Sequence, residues 1–225
     1  MSDDPDVLTP VVLTGAHVRL EPLSTAHVPG LTAAAAEDRG SYAYTLVPDG
    51  PGEAAEYVRA ALAEQAGGRV MPFAVVRTRD DAVVGSTRFL DLEVLGIPGV
   101  PVPDDRRPPS VAEIGSTWYA ASAQRTALNT EVKLLLLGHA FDVWRVLRVT
   151  LKTDARNQRS RTAIERLGAR FEGVRRAHTT ASDGTVRDSA YYSILAAEWP
   201  AVRDGLRLRL DRGCGSPAER PRPGS

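Results

Sequence analysis

The stretch from Ser122 to Phe141, SAQRTALNTEVKLLLLGHAF, constrains the fold of this chain most. Polar side chains at Gln124, Arg125, Thr126, Asn129 and Thr130 break into a long apolar segment, with no glycine between Ser122 and Leu137. From about 130 to 144 the apolar residues surround most of a helical circumference, so this helix needs a sheet to cover it. A strand-like run, AEIGSTWYA (112–120), precedes it. A second unit of the same kind follows: VLRVTLKTD (146–154) reads as a strand and RNQRSRTAIERLGA (156–169) as a helix. Asn157 is a good N-cap for that helix and Gly168 a good residue past its end. Two neighbouring strand–turn–helix units point to a mixed α/β layer architecture.

The flanking segments complete the sheet. HVRLEPL (17–23) alternates as a half-buried strand does, and Ser24 or Thr25 can cap the alanine-rich helix that follows to about Glu37. SYAYTLVPDG (41–50) carries aromatics into a turn. In residues 52–68, Ala54, Tyr57, Val58, Ala61 and Leu62 share one helical face, and Gly67 and Gly68 end the helix. Residues 71–94 read as a hairpin around Arg79-Asp80-Asp81, and 171–199 as another turning at Asp183-Gly184. A short helix is expected over about 200–210. The proline-rich run GIPGVPVPDDRRPPS (96–110) cannot be a regular element; it reads as an exposed loop inserted in one domain, because strands continue on both sides. The expected fold is α/β (α+β): a largely antiparallel twisted sheet flanked by helices. It forms a single domain over 11–211, with a flexible N-terminus at 1–10 and a disordered tail at 212–225.

Composition removes several function classes. The formal net charge of zero provides no basic field for nucleic acid, and no nucleic-acid motif is present. Cys214 stands alone, without a disulfide or metal partner, and no His/Asp/Glu grouping has metal spacing. There is no apolar run of 18 residues, and the acidic MSDDPDV start lacks a signal-peptide core. A soluble, cytoplasmic monomer or homodimer without membrane partners is the default expectation. The basic residues are almost all arginine; the only lysines are Lys133 and Lys152.

The mouth of the central helix carries the chemistry. The first N–H groups of a helix lack intrahelical partners and bear positive partial charge, which suits a pyrophosphate. Arg125 adds a charge, and Thr126, Asn129 and Thr130 add short polar groups. Plain capping by Asn129 or Thr130 accounts for the same residues. The paired units resemble motifs A and B of the GNAT N-acetyltransferase superfamily, whose pyrophosphate turn reads Gln/Arg-x-x-Gly-x-Gly/Ala. Gln124-Arg125-Thr126-Ala127-Leu128-Asn129 occupies that frame, with Ala127 in place of glycine and Asn129 in place of Gly/Ala. EIGSTWYA, Asn157-x-x-Ser160, the Ile164–Ala169 step, EGVRRAH (172–178) and DGTVRDSAYYSI (183–194) resemble the RimJ/RimL branch. The resemblance runs from about Val12 to Leu210.

The resemblance implies an N-acetyltransferase with acetyl-CoA as cosubstrate and no metal. The acceptor would be a primary amine, on a small molecule or a protein N-terminus. Pantetheine would lie along strand 112–120, with backbone N–H groups near Trp118 and Tyr119 facing the thioester oxygen. Gln124 to Thr130 would hold the pyrophosphate. Asn157 would hold pantetheine or cap its helix, and Ser160 would meet the departing sulfur or act as a first-turn hydroxyl. The base that takes the amine proton is expected to be His178, with Glu113 second. His178 sits on a strand beside the cleft and titrates near neutrality; the alternative is a hydrogen-bonded sheet histidine. Glu113 opens the central strand; the alternative is a surface ion pair with an arginine. Tyr42, Tyr44 and Trp118 are candidates for the acceptor pocket; the alternative is that they belong to the core, where aromatics more often sit. The tyrosine acid of many superfamily members has no counterpart here, since Ile164 and Leu167 stand on that helix. That absence, with the altered turn, motivates a rival reading: a catalytically silent acyl-CoA-binding or partner-binding module.

Overall fold

A computed structural model of the chain describes residues 9–96 and 108–214. The N-terminal residues 1–8, most of the expected loop (97–107) and the tail from 215 lie outside the described residues.

Strands β1 (Leu13–Thr14) and β2 (Val18–Pro22) lead into helices α1 (Val28–Ala36) and α2 (Gly50–Ala66). The hairpin of β3 (Met71–Arg77) and β4 (Ala82–Glu93) follows. Next come β5 (Val111–Tyr119), α3 (Leu128–Gly138), β6 (Arg148–Asp154) and α4 (Gln158–Glu165). The hairpin of β7 (Arg170–Thr180) and β8 (Val186–Leu195) precedes the last helix, α5 (Trp199–Cys214). The strands form one eight-stranded sheet in the order β1-β2-β3-β4-β5-β6-β8-β7. Among these pairs β5–β6 alone is parallel, because α3 crosses over between them. The expected α/β architecture with a largely antiparallel sheet is thus the one observed.

The apolar positions explain the layering. Ala54, Val58 and Ala61 of α2 are fully buried, with Tyr57 and Leu62 packed at the edge of the same core. Val132, Leu136 and Leu137 of α3 are fully buried, as the apolar circumference of that helix requires. Gly85 of β4 pairs with Tyr119 of β5, and a Cβ there would collide with the Trp118 carbonyl oxygen. Glycine at this position lets β4 and β5 approach closely beside the later half of β5.

Two helices differ from their expected spans. The helix expected over about 130–144 starts earlier, at Leu128, and its last turn, His139–Val143, is a π-helix closed by Trp144 N–H donating to His139 O at 3.0 Å. The widened turn places the His139 and Trp144 rings against Phe89, with Phe89–Trp144 and His139–Trp144 centroids both 4.6 Å apart. His139 is therefore part of an aromatic stack. The helix expected over 200–210 extends from Trp199 to Cys214, so the expected boundary at 211 falls inside it. Trp199 anchors α5: its ring stacks on Phe141 at 5.5 Å and its Nε1 donates to Asp142 Oδ1 at 2.8 Å.

Candidate active site

The site arises where the parallel pair comes apart. β5 and β6 are in register only from Val111 to Glu113 against Arg148 to Thr150. Beyond that the strands diverge. The register of β5 on β4 also shifts between Ser86 and Arg88, and Ser116 takes a left-handed φ of 47°. This is a β-bulge, a device that re-aims a strand edge at functional sites. The opening is a cleft of about 1220 Å³. Its walls come from residues 114–119 of β5, residues 151–153 of β6, the N-terminal turns of α3 and α4, the 41–48 segment and α2.

The turn into α3 survives without glycine because its strain falls elsewhere. Ala127 is the N-cap at φ −62°, an ordinary right-handed conformation, and Asn129 lies within the helix. The left-handed position is Arg125, at φ 58°. Capping falls to Thr126, whose Oγ1 accepts from Leu128 N–H at 3.2 Å and donates to Ala123 O at 2.7 Å. The expected alternative of capping by Asn129 or Thr130 is therefore corrected: both side chains line the cleft instead. Gln124 ties the turn down. Its Nε2 donates to Tyr119 O at 2.9 Å and to Ser41 Oγ at 3.0 Å. Arg159 of α4 joins this cluster by donating to Ser41 O at 2.8 Å, a link no sequence pattern signalled.

The second helix mouth is capped as expected. Asn157 is buried, and its Oδ1 accepts from Ser160 N–H at 3.0 Å. Asn157 and Ser160 both line the cleft. On the other wall, Trp118 is buried between Tyr42 and Tyr57, with edge-on ring centroids at 6.1 and 6.5 Å. Tyr42 OH donates to Tyr119 O at 3.1 Å, and Tyr44 lies at the rim under the Arg156 guanidinium.

The two base candidates part company. Glu113 lines the cleft and is 3% exposed. Its partner is Lys152 of β6, at 2.8 Å, so the expected surface pairing with an arginine is replaced by a buried pairing with a lysine. Burial raises the Glu113 pKa above the usual carboxylate range, against the pull of Lys152. Burial lowers that of Lys152, but the hydrogen bond and charge of Glu113 outweigh it and leave it raised. His178 sits on β7, two strands beyond β6, and is not among the cleft-lining residues. Both its ring nitrogens are engaged, Nδ1 with Ser189 Oγ at 2.9 Å and Nε2 with Tyr191 OH at 3.1 Å. Burial and the nearby charges of Lys152, Arg175 and Arg187 lower its pKa.

Lys133 of α3 also lines the cleft and is 6% exposed, with Nζ donating to Thr117 Oγ1 at 3.0 Å. Burial draws its pKa down to about 7. The lysine count held a signal for Lys133 and Lys152. In a chain with 28 basic residues, the two lysines both face the cleft, where a side chain able to lose its proton differs most from arginine. Among the described residues no group of three or more His, Cys, Asp or Glu is placed to hold a metal ion, and no helix is long and apolar enough to cross a membrane.

A family model described as an acetyltransferase (GNAT) domain matches residues 17–170. Among solved structures, a GCN5-related N-acetyltransferase from Brucella melitensis is 29% identical, covering 89% of this chain and 86% of that one, with a TM-score of 0.73. The fold is shared with Mycobacterium smegmatis RimJ in complex with CoA-disulfide, at 20% identity, 90% and 96% coverage and a TM-score of 0.72. It is also shared with RimL, a ribosomal L7/L12 alpha-N-protein acetyltransferase, at 16% identity, 83% and 94% coverage and a TM-score of 0.68. No curated protein matches the sequence. The bulged central strand, the splayed cleft, the polar helix mouth and the matching family model agree: this chain belongs to the GNAT acetyltransferase family.

Proposed function

We propose that the protein moves an acetyl group from acetyl-CoA to a primary amine, on a small molecule or a protein N-terminus, by direct attack. The observation that carries this reading is the divergence of β5 from β6 beside the Ser116 bulge, directly in front of the α3 N-terminus. The pyrophosphate binds the first-turn amides of α3 with Arg125, Asn129 and Thr130. Pantetheine follows the free edge of β5 past Tyr119 and Trp118, and Asn157 fixes the opposite wall. The thioester then lies near the bulge, where backbone N–H groups face the developing oxyanion. Preorganised donors of this kind contribute about 3 kcal/mol each to the transition state.

Glu113 takes the proton as the amine nitrogen bonds to the thioester carbon. The C–S bond breaks, and the CoA sulfur leaves toward the Ser160 hydroxyl. Lys152 orients Glu113, while burial keeps the carboxylate basic enough to accept a proton. His178, bonded to Ser189 and Tyr191 of β8 and outside the cleft lining, is the second candidate for the base. CoA binding by RimJ and N-terminal acetylation by RimL are properties of those proteins that fit this reading.

The test is CoA release with a panel of peptide N-termini and small amines. Glu113→Gln is expected to lower kcat by roughly a hundredfold or more, with KM for acetyl-CoA little changed, and His178→Ala by only about a few-fold. The reverse order would transfer the base to His178. If no amine releases CoA from a chain that binds it, the silent-module reading replaces this one.

A further inference from the structure

Lys133 stands out among the cleft residues because the acetyl-transfer scheme leaves it unused. Asn129 and Thr130 lie four and three residues before it on α3, so all three share one helical face and Lys133 stands one turn further in. Its ammonium is held by a hydroxyl rather than a carboxylate: Nζ donates to Thr117 Oγ1, and Thr117 Oγ1 is 2.7 Å from Thr87 Oγ1. Thr117 immediately follows the bulge residue Ser116 on the free edge of β5. The ε-amine therefore lies on the proposed pantetheine track, next to the bulge. An arginine would remain a cation here under all conditions, whereas a lysine drawn down to about 7 is a neutral nucleophile in a large fraction of molecules.

We propose that Lys133 is a self-acylation site: its ε-amine takes the acetyl group of a thioester bound in the cleft. The nitrogen lone pair attacks the thioester carbon, a C–N bond forms and the C–S bond breaks. The amine gives up a proton and CoA leaves as the thiol, so acetyl-lysine and free CoA form in equal amounts with no other reactant. The product is a stable amide that replaces a buried, carboxylate-free cation with a neutral group, which favours the forward direction. This inference rests on the reading of the cleft as a thioester site.

The chain supplies its own control, since Lys152 and the N-terminus are its only other candidate amines. The full-length protein is incubated with acetyl-CoA and mapped by peptide mass spectrometry, with calorimetric binding of CoA measured in parallel. Lys133 is expected to acquire one acetyl group at least about tenfold faster than Lys152 or the N-terminus, because Glu113 holds Lys152 as an ammonium while the Lys133 amine is held in the cleft by a hydroxyl. The rate should not depend on protein concentration. Lys133→Arg should bind CoA and show no acetylation at that position. If the wild type binds CoA while Lys133 stays unmodified, or gains acetyl no faster than the other amines, the inference is overturned and the reading of the cleft stands. If CoA does not bind, both fall together.

Discussion

Lys133→Met is expected to stabilise the folded chain by about 4 kcal/mol at pH 7. The ammonium titrates near 7 in the folded state, against 10.5 for an unperturbed lysine, and burial is the cause. The unfolded chain therefore binds more protons between about pH 7 and 10.4, so the wild type gains stability as pH rises through that window. Below the folded value the full cost of the buried charge is present; above the unfolded value it disappears. Methionine fills a similar volume without the charge, and Thr117 keeps its partner in Thr87. Urea unfolding of both proteins from pH 6 to 10 checks this. The advantage of the variant should be largest at pH 6 and vanish near pH 10. A difference that does not change with pH would show that Lys133 is not a desolvated cation.

Glu131→Ala is expected to act in the opposite direction, destabilising the fold by on the order of 4 kcal/mol or more. Glu131 sits on α3 but is turned away from the cleft, toward the link between β1 and β2. Its buried carboxylate accepts from Ala16, His17 and Val18 N–H at 2.8, 2.6 and 2.9 Å. Hydrogen bonds to a charged group contribute about 1.5–3 kcal/mol each, and alanine would leave three backbone donors facing a cavity. Glu131→Gln keeps one acceptor and should lose roughly half as much. Thermal unfolding of the three proteins orders them; a Glu131→Ala protein as stable as the wild type would contradict the role of this carboxylate in pinning the sheet edge to α3.

These two residues also show what a single sequence conveys. The sequence revealed both strand–turn–helix units by their apolar pattern and both hairpins by their turns at Arg79-Asp80-Asp81 and Asp183-Gly184, the second although β7 is exposed along nearly its whole length. It revealed the helix mouth, because unpaired amides call for polar company. It did not reveal that Arg125, rather than Ala127 or Asn129, takes the left-handed conformation, since that depends on how β5 delivers the chain to α3. It put His178 ahead of Glu113 as the base, because imidazole titrates near neutrality; both lie on strands, and only the sheet order puts Glu113 at the cleft and His178 two strands past its wall. Glu131 and Lys133 are two residues apart on one helix, and their opposite fates follow from tertiary packing. The π-turn at His139 likewise needed the neighbouring Phe89 and Trp144 to be visible.

Calorimetric titration with acetyl-CoA, on the wild type and on Arg125→Glu, tests the central reading most directly. The wild type should bind one acetyl-CoA per chain with a micromolar Kd, and Arg125→Glu should weaken binding at least about tenfold by placing a carboxylate at the helix mouth. A wild-type chain that binds no acetyl-CoA, or a charge reversal at Arg125 that leaves affinity unchanged, would contradict the assignment of the α3 turn to the pyrophosphate.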